Sequence, residues 1–400
     1  MRLSSAVGEA RWYQGKGSAD PDVRVTGTLA PPDAGDHALA VLAVGDATYV
    51  APLDAAGALA DDAPELWRAL ARAAAQGGEL EGDGCRLIGR AGPAPAPDLG
   101  DRVRPIGADQ THTTVVLGER TVLKCYRRLG EGTAREPARV RALTAAGFDG
   151  VPAMHGAAEL ETPAGRHALL LLQAYVPGTW DGFAQADRDL RSGAEPVWAP
   201  ATGRLVARMH GALGGARPAT ADDLAGWREH GRRLVGATAA RTDRALVLAA
   251  GAALDGAWDA AARAPLPPVG LAHGDLHLAQ LLFGASGPVA VIDFEPAPSL
   301  LPDPSPETPA RDLAALLRSV DNAGLWTQAE GGPPPADWIA AGRAGIRAGY
   351  GPGAPGPAVL RAFELVQAVH ECLYAAAIAP FWADVAQRAL TTLLEEPCAT

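Results

Sequence analysis

Over the first ninety residues, short apolar runs alternate with turn-forming residues. Val23–Leu29, His37–Val44 and Thr48–Leu53 read as strands, divided by Pro31-Pro32-Asp33-Ala34-Gly35 and by Gly45-Asp46. In Pro64–Ala75, Leu66, Leu70 and Ala74 recur at helical spacing, and Asp61, Asp62 and Glu65 sit near the start, where the helix dipole favours acids. The stiff alternation Gly92-Pro93-Ala94-Pro95-Ala96-Pro97 then reads as a linker. After it, Thr114–Leu117 and Thr121–Tyr126 form a strand pair joined by Gly118-Glu119-Arg120. Residues 134–146 are helical, with Glu136 in the first turn, and Ala168–Val176 is a strand stopped by Pro177-Gly178. Beyond residue 180 the pattern turns helical over 199–213, 221–238, 241–262, 309–321, 335–347 and 358–378. The expected class is α+β, with a β-rich cap over 1–92, a β-rich unit with one helix over 98–178 and a helical region over 179–400. A β-rich half followed by a helical half predicts two lobes flanking a cleft.

Composition fits this picture. The chain has 400 residues, more than one core usually organises, with 48% hydrophobic and 20% charged residues. Its 47 Gly and 34 Pro make about a fifth of the chain, which implies many loops without low complexity. A net charge of −11, with no basic run, excludes nucleic acid and anionic membranes as expected partners. Cys85, Cys125, Cys372 and Cys398 have neither CxxC nor zinc-type spacing, so reduced thiols in a cytoplasmic, soluble monomer are expected. The start lacks the apolar core of a signal peptide, and no apolar stretch is long enough for a membrane span. Only two of the 35 basic residues are lysines, Lys16 and Lys124. In so Arg-rich a chain, a retained lysine suggests a need for a compact ammonium.

The chemistry concentrates in His273-Gly274-Asp275-Leu276-His277-Leu278-Ala279-Gln280, followed by Ile292-Asp293-Phe294-Glu295. Phosphoryl transfer needs a carboxylate to take the acceptor hydroxyl's proton, and hard oxygen ligands for the Mg²⁺ on the nucleotide's phosphates. Asp275 fits the first role, and Gln280, Asp293 and Glu295 the second. The order and spacing match the kinase catalytic loop and metal-binding Asp, with Gln for Asn and Glu for Gly. Taken instead as a metal cluster, His273, Asp275 and His277 would suggest a hydrolase, but no second His/Asp group stands at matching spacing. Lys124 lies on a strand where a kinase keeps the lysine that neutralises ATP phosphates, and Glu136 is its candidate helical partner. No Gly-rich phosphate loop is present. Asp109-Gln110-Thr111-His112-Thr113-Thr114 stands in its place, with Gln110, Thr111, His112 and Thr113 offering hydroxyls and amides to phosphates.

On these motifs the chain resembles the aminoglycoside-phosphotransferase-type kinases, and within them the actinobacterial maltokinase and glucosamine kinase group, over nearly its whole length. Arg11-Trp12-Tyr13-Gln14-Gly15-Lys16-Gly17 is similar to that group's RWF-x-GKG start. The 104–114 segment is similar to its QSNTS loop, HGDLHLAQ to HGDLHLGQ, and Arg311-Asp312-Leu313 with Leu317-Arg318-Ser319 to RDVAGMLRS. The resemblance implies a bilobal protein-kinase-like fold with an N-terminal cap and a helical C-lobe, use of ATP and Mg²⁺, and an adenine hinge at Gln173, Tyr175 and Val176. It also implies an acceptor site on a late helix, where Gln367, His370, Glu371 and Tyr374 share one face opposite Val366, Val369, Cys372 and Leu373. Asp275, His277 and Arg311 complete the expected acceptor contacts. Two departures from the maltokinase pattern, Asp293-Phe294-Glu295-Pro296 for DFEGEP and the late helix itself, favour glucosamine, phosphorylated at O6, as the small-molecule acceptor. Maltose phosphorylated at the anomeric hydroxyl is the alternative, and a non-catalytic sugar- or nucleotide-sensing pseudokinase is a third reading.

Overall fold

The computed structural model describes residues 3–10, 12–13, 21–106, 112–130, 135–296 and 300–396. It divides into two compact units, Met1–Gly178 and Thr179–Thr400.

The first unit runs α1 (Leu3–Glu9), β1 (Val23–Leu29), β2 (Ala38–Val44), β3 (Ala47–Leu53), α2 (Pro64–Gln76), β4 (Glu79–Glu81), β5 (Arg86–Ala91), β6 (Val103–Ile106), β7 (Thr113–Leu117), β8 (Thr121–Cys125), β9 (Arg128–Leu129), α3 (Arg135–Ala145), β10 (Met154–Thr162) and β11 (Gly165–Ala174). A four-stranded sheet has the order β1-β2-β3-β9, and a seven-stranded sheet the order β4-β5-β10-β11-β8-β7-β6. The β2 sequence ALAVLAV is apolar throughout because both its faces are covered. Leu39 and Val41 face a core shared with Leu66, Trp67 and Leu70 of α2, whereas Ala40 and Leu42 face Val7, Trp12 and Tyr13. Alanines on α2 bring its backbone onto the large sheet. A Cβ at Gly89 would lie 2.0 Å from the Ala73 carbonyl, and one at Gly156 would lie 2.3 Å from that of Ala74.

That packing corrects the boundary expected at 92–98. β5 precedes the proline segment and β10 follows it, yet they pair from Gly156↔Ala91 to Glu161↔Arg86. α2 packs on both, so the segment is a surface loop over a continuous sheet rather than a seam between cores. Arg127 ties the same parts together. Its fully buried guanidinium donates to Asp61 (2.5 Å), the Val50 carbonyl (3.3 Å) and Thr113 Oγ1 (2.6 Å), and lies 5.6 Å and 5.4 Å from the rings of Trp12 and Trp67.

The second unit runs β12 (Trp180–Asp181), α4 (Gly182–Ser192), α5 (Ala199–Leu213), α6 (Ala221–Ala239), α7 (Arg244–Ala261), β13 (Leu281–Gly284), β14 (Gly287–Val291), α8 (Pro309–Ala329), α9 (Ala336–Tyr350), α10 (Pro357–Ala377) and α11 (Ala383–Glu395). Its helix starts are chemically marked: Asp181 caps α4, Thr220 and Asp223 form a capping box on α6, and Thr308 caps α8. α8 extends eight residues past the expected end, because Ala323, Gly324 and Thr327 keep its apolar face buried. No helix among the described residues is long and apolar enough to cross a membrane.

Candidate active site

In the second unit the β13–β14 hairpin folds the two halves of the motif onto each other. The Ile292 amide donates to the Gln280 carbonyl (2.9 Å), and the Gln280 amide lies 3.4 Å from the Asp293 carboxylate. Asp293 itself has φ +62°, a left-handed conformation that Asp tolerates better than most residues. A carboxylate and an amide oxygen that can turn towards the same point are the hard donors Mg²⁺ takes.

His273 is a scaffold. Its Nδ1 accepts the Asp275 amide (3.3 Å), and its Nε2 faces the Ile292 carbonyl (2.9 Å), which fixes the Nε2–H tautomer. With both nitrogens facing the backbone, the metal-cluster alternative loses a ligand. Asp312, in the first turn of α8, then fixes the loop from outside. Its carboxylate accepts the amides of His273 (2.5 Å) and Gly274 (3.0 Å) and receives His210 Nε2 (2.9 Å). Ser319, two turns on, accepts the Leu278 amide through Oγ (3.1 Å). The resemblance points to Arg311 here, one residue away from the group that engages the loop. The i, i+7 spacing of Asp312 and Ser319, which puts both on one helical face, was a signal that could have found them.

These contacts set the electrostatics. Burial works against the Asp312 carboxylate, but His210 and the loop amides hold its pKa below the usual range. Asp275 is pushed up to about 7, first by burial and then by the charges of Asp293 and Asp312. A carboxylate balanced near neutrality suits a general base. Burial lowers His277 to about 4, so its imidazole is neutral, with Nε2 3.9 Å from Asp275 and 3.3 Å from the Gln280 amide. A divalent cation held at the Asp293 carboxylate beside the Gln280 amide would relieve the repulsion that Asp293 exerts on Asp275.

In the first unit, alternation along β8 turns Leu123 and Cys125 into the core and Lys124 to the other face. The Lys124 ammonium meets Glu136 of α3 at 2.8 Å, and Tyr126 donates to the same oxygen at 2.6 Å. The Tyr126 ring lies 5.4 Å from the ammonium and edge-on to His112 at 5.3 Å. The Thr113 hydroxyl accepts from the Arg127 guanidinium at 2.6 Å, which fixes its position and leaves its O–H to donate. Gln173 donates its side-chain amide to the Pro152 carbonyl (3.0 Å). Tyr175 gives its backbone N–H to the Arg120 carbonyl (2.7 Å) and accepts Arg104 at its hydroxyl (3.0 Å), so the segment that ends at Val176 is braced by its neighbours. Gln110 and Thr111, like Lys16, lie outside the described residues.

On α10, Gln367, His370 and Tyr374 are half-buried. Glu371 departs from expectation: it is buried and takes a bond from Arg318 (3.1 Å), which also pairs with Asp321 (2.9 Å). Asp321 and Glu364 in turn share Arg343 at 2.9 Å and 2.8 Å. A charge so deep needs a partner, and α8 supplies one, so Glu371 does not offer an uncompensated carboxylate to a sugar amine. Arg311 is likewise committed, to Asp303, whose carboxylate also lies 3.3 Å from His230.

Residues 102–363, well over half of the chain, match the phosphotransferase enzyme family. The chain belongs to that family. Among curated relatives of this phosphotransferase, a glucosamine kinase of Streptacidiphilus jiangxiensis is 33% identical over 341 residues, 75% of either chain. A glucosamine kinase of Mycolicibacterium smegmatis is 30% identical over 337 residues, 74% of this chain and 81% of the relative. Among solved structures, a glucosamine kinase in complex with glucosamine, ADP and inorganic phosphate superposes with a TM-score of 0.71 at 26% identity, covering 98% of this chain and 99% of the other. The α+β class and the kinase-type fold expected from the sequence are those observed.

Proposed function

We propose that this phosphotransferase is an ATP-dependent glucosamine kinase that transfers the γ-phosphoryl group to the C6 hydroxyl. The observation that carries the reading is Asp275, a half-buried carboxylate poised near neutral pH beside an amide–carboxylate pair of metal-ligand type. The named relatives supply the acceptor class. Asp275 takes the proton of the attacking hydroxyl. Gln280 and Asp293, with Glu295 following, are the residues that would hold Mg²⁺, which supplies charge neutralisation on the phosphates. Lys124, oriented by Glu136, neutralises nucleotide phosphate oxygens. The neutral His277 orients acceptor hydroxyls without adding a positive charge that would depress the base. Asp312 acts through the loop backbone by fixing where Asp275 points.

The test is an ADP-release assay with glucosamine, glucose, N-acetylglucosamine and maltose, with the product of the best acceptor located by NMR. Glucosamine should lead, with phosphate on O6. Maltose turnover with none on glucosamine would overturn the acceptor assignment, and no ADP release with any sugar would overturn the enzyme reading.

A further inference from the structure

A run of aromatic rings leads away from the catalytic loop along the second unit. Phe183 on α4 meets His277 edge-on at 6.5 Å and Trp382 at 6.3 Å. Trp382 stacks on Trp326 of α8 at 4.9 Å with an interplanar angle of 26°. Trp326 in turn meets Phe381 edge-on at 6.1 Å. His277, Phe183, Trp382 and Trp326 are half-buried, and Phe381 at the far end of the run is 74% exposed. Packing does not explain a large apolar side chain held in water beside a Trp–Trp stack. α8 and α11 are each closed by their own apolar faces, Leu313, Leu317 and Val320 on one and Val385, Ala389 and Leu393 on the other. Four rings drawn from three separate segments converge here.

We propose that this shelf is an acceptor subsite for a second sugar ring, so that the substrate class includes glycosides in which the phosphorylated amino sugar is the terminal residue. The proposal rests on the acceptor reading above and extends it. A pyranose has one face of C–H bonds, and aromatic faces bind such a surface while its hydroxyls stay in water. The shelf joins the phosphorylation site through the Phe183–His277 contact. A second ring on the anomeric carbon leaves the 6-hydroxyl free for Asp275. A free monosaccharide would occupy the inner position alone and leave Phe381 in water.

The experiment compares glucosamine with the β-1,4-linked glucosamine disaccharide in the wild type, Phe381→Ala and Trp326→Ala. In the wild type the disaccharide should have a KM about five- to tenfold below that of glucosamine, in line with one or two aromatic contacts. Both variants should lose that advantage with glucosamine kinetics unchanged. Equal KM values for the two sugars, or variants that affect both alike, would overturn the subsite. Tryptophan fluorescence reads the shelf independently of turnover. The disaccharide should quench wild-type emission, and quenching by the disaccharide without turnover of either sugar would keep the subsite while removing the kinase reading. No quench in a folded protein would remove the subsite. A change in oligomeric state in Phe381→Ala, with sugar preference intact, would assign the patch to self-association instead.

Discussion

The buried ion network on α8, α9 and α10 distinguishes a supporting role for Glu371 from a recognition role. It contains two bases, Arg318 and Arg343, and three acids, Asp321, Glu364 and Glu371. Burial works against the Arg318 charge, but Glu371 and Asp321 outweigh it and hold the guanidinium above its ordinary pKa; burial raises Asp321 and Glu364. Arg318→Met leaves three acids to one base and strands Glu371, which should cost about 3–5 kcal/mol. Glu371→Gln leaves two acids to two bases and keeps an oxygen in place for Arg318, so its cost should be only about 1–2 kcal/mol. With roughly 2–4 °C per kcal/mol for a body of this size, the two substitutions should separate clearly in melting temperature and in urea midpoint. Glucosamine and glucose kinetics on the same samples complete the assay, with Glu371→Gln expected to lower use of both sugars in equal proportion. A Glu371→Gln protein of wild-type stability that selectively lost glucosamine would refute the reasoning and return the carboxylate to the substrate.

Asp275→Asn should lower turnover by about 10²–10⁴. Because the native pKa of Asp275 lies above its unfolded value, folding stability falls as pH rises from about 4 through about 7, and the Asn variant should gain roughly 1–3 kcal/mol over wild type at pH 8, read by urea denaturation without metal. In the wild type, metal-free acceptor-binding profiles should show a transition near pH 7 that moves lower when Mg²⁺ is added. Lys124→Arg should raise the KM for ATP and lower turnover without changing acceptor preference, since a planar fork cannot replace a point charge held 2.8 Å from Glu136; full rescue by Arg would show that diffuse charge suffices. Asp293→Gly should remove the left-handed cost and stabilise the fold by about 0.5–1 kcal/mol while abolishing Mg²⁺-dependent activity, and a normal Mg²⁺ response would dismiss Asp293 as a ligand.

Elements whose pattern is set by one buried face were legible in the sequence. β1 is observed at its expected limits, α5 likewise, and the Lys124–Glu136 pair expected from the kinase arrangement of strand lysine and helical glutamate is present. Elements whose role is set by distant neighbours were not. β5 (RLIGRA) and β10 (MHGAAELET) carry little alternation, and their identity depends on pairing between residues 65 to 75 apart in the chain. The short α1 and the late α11 had no capping signal to mark them. At the site, the local order of Asp275, Gln280 and Asp293 gave the chemistry, but the hold of Asp312 on the loop and the claim of Arg318 on Glu371 are tertiary facts. A helical wheel shows that Glu371 shares a face with Gln367 and Tyr374 and cannot show what lies against it.

Arg127 bears on how this protein can be divided. The family match begins at residue 102, which suggests a module that starts there. A chain cut at that point would keep Arg127 and lose Trp12, Val50, Asp61 and Trp67, leaving a guanidinium between two vanished rings and β10 with a bare edge where β5 had been. The stretch that carries the family signature is therefore not a portable part. Shuffling or trimming at its border would break the protein, and the preceding hundred residues are better regarded as half of its foundation than as an appendage.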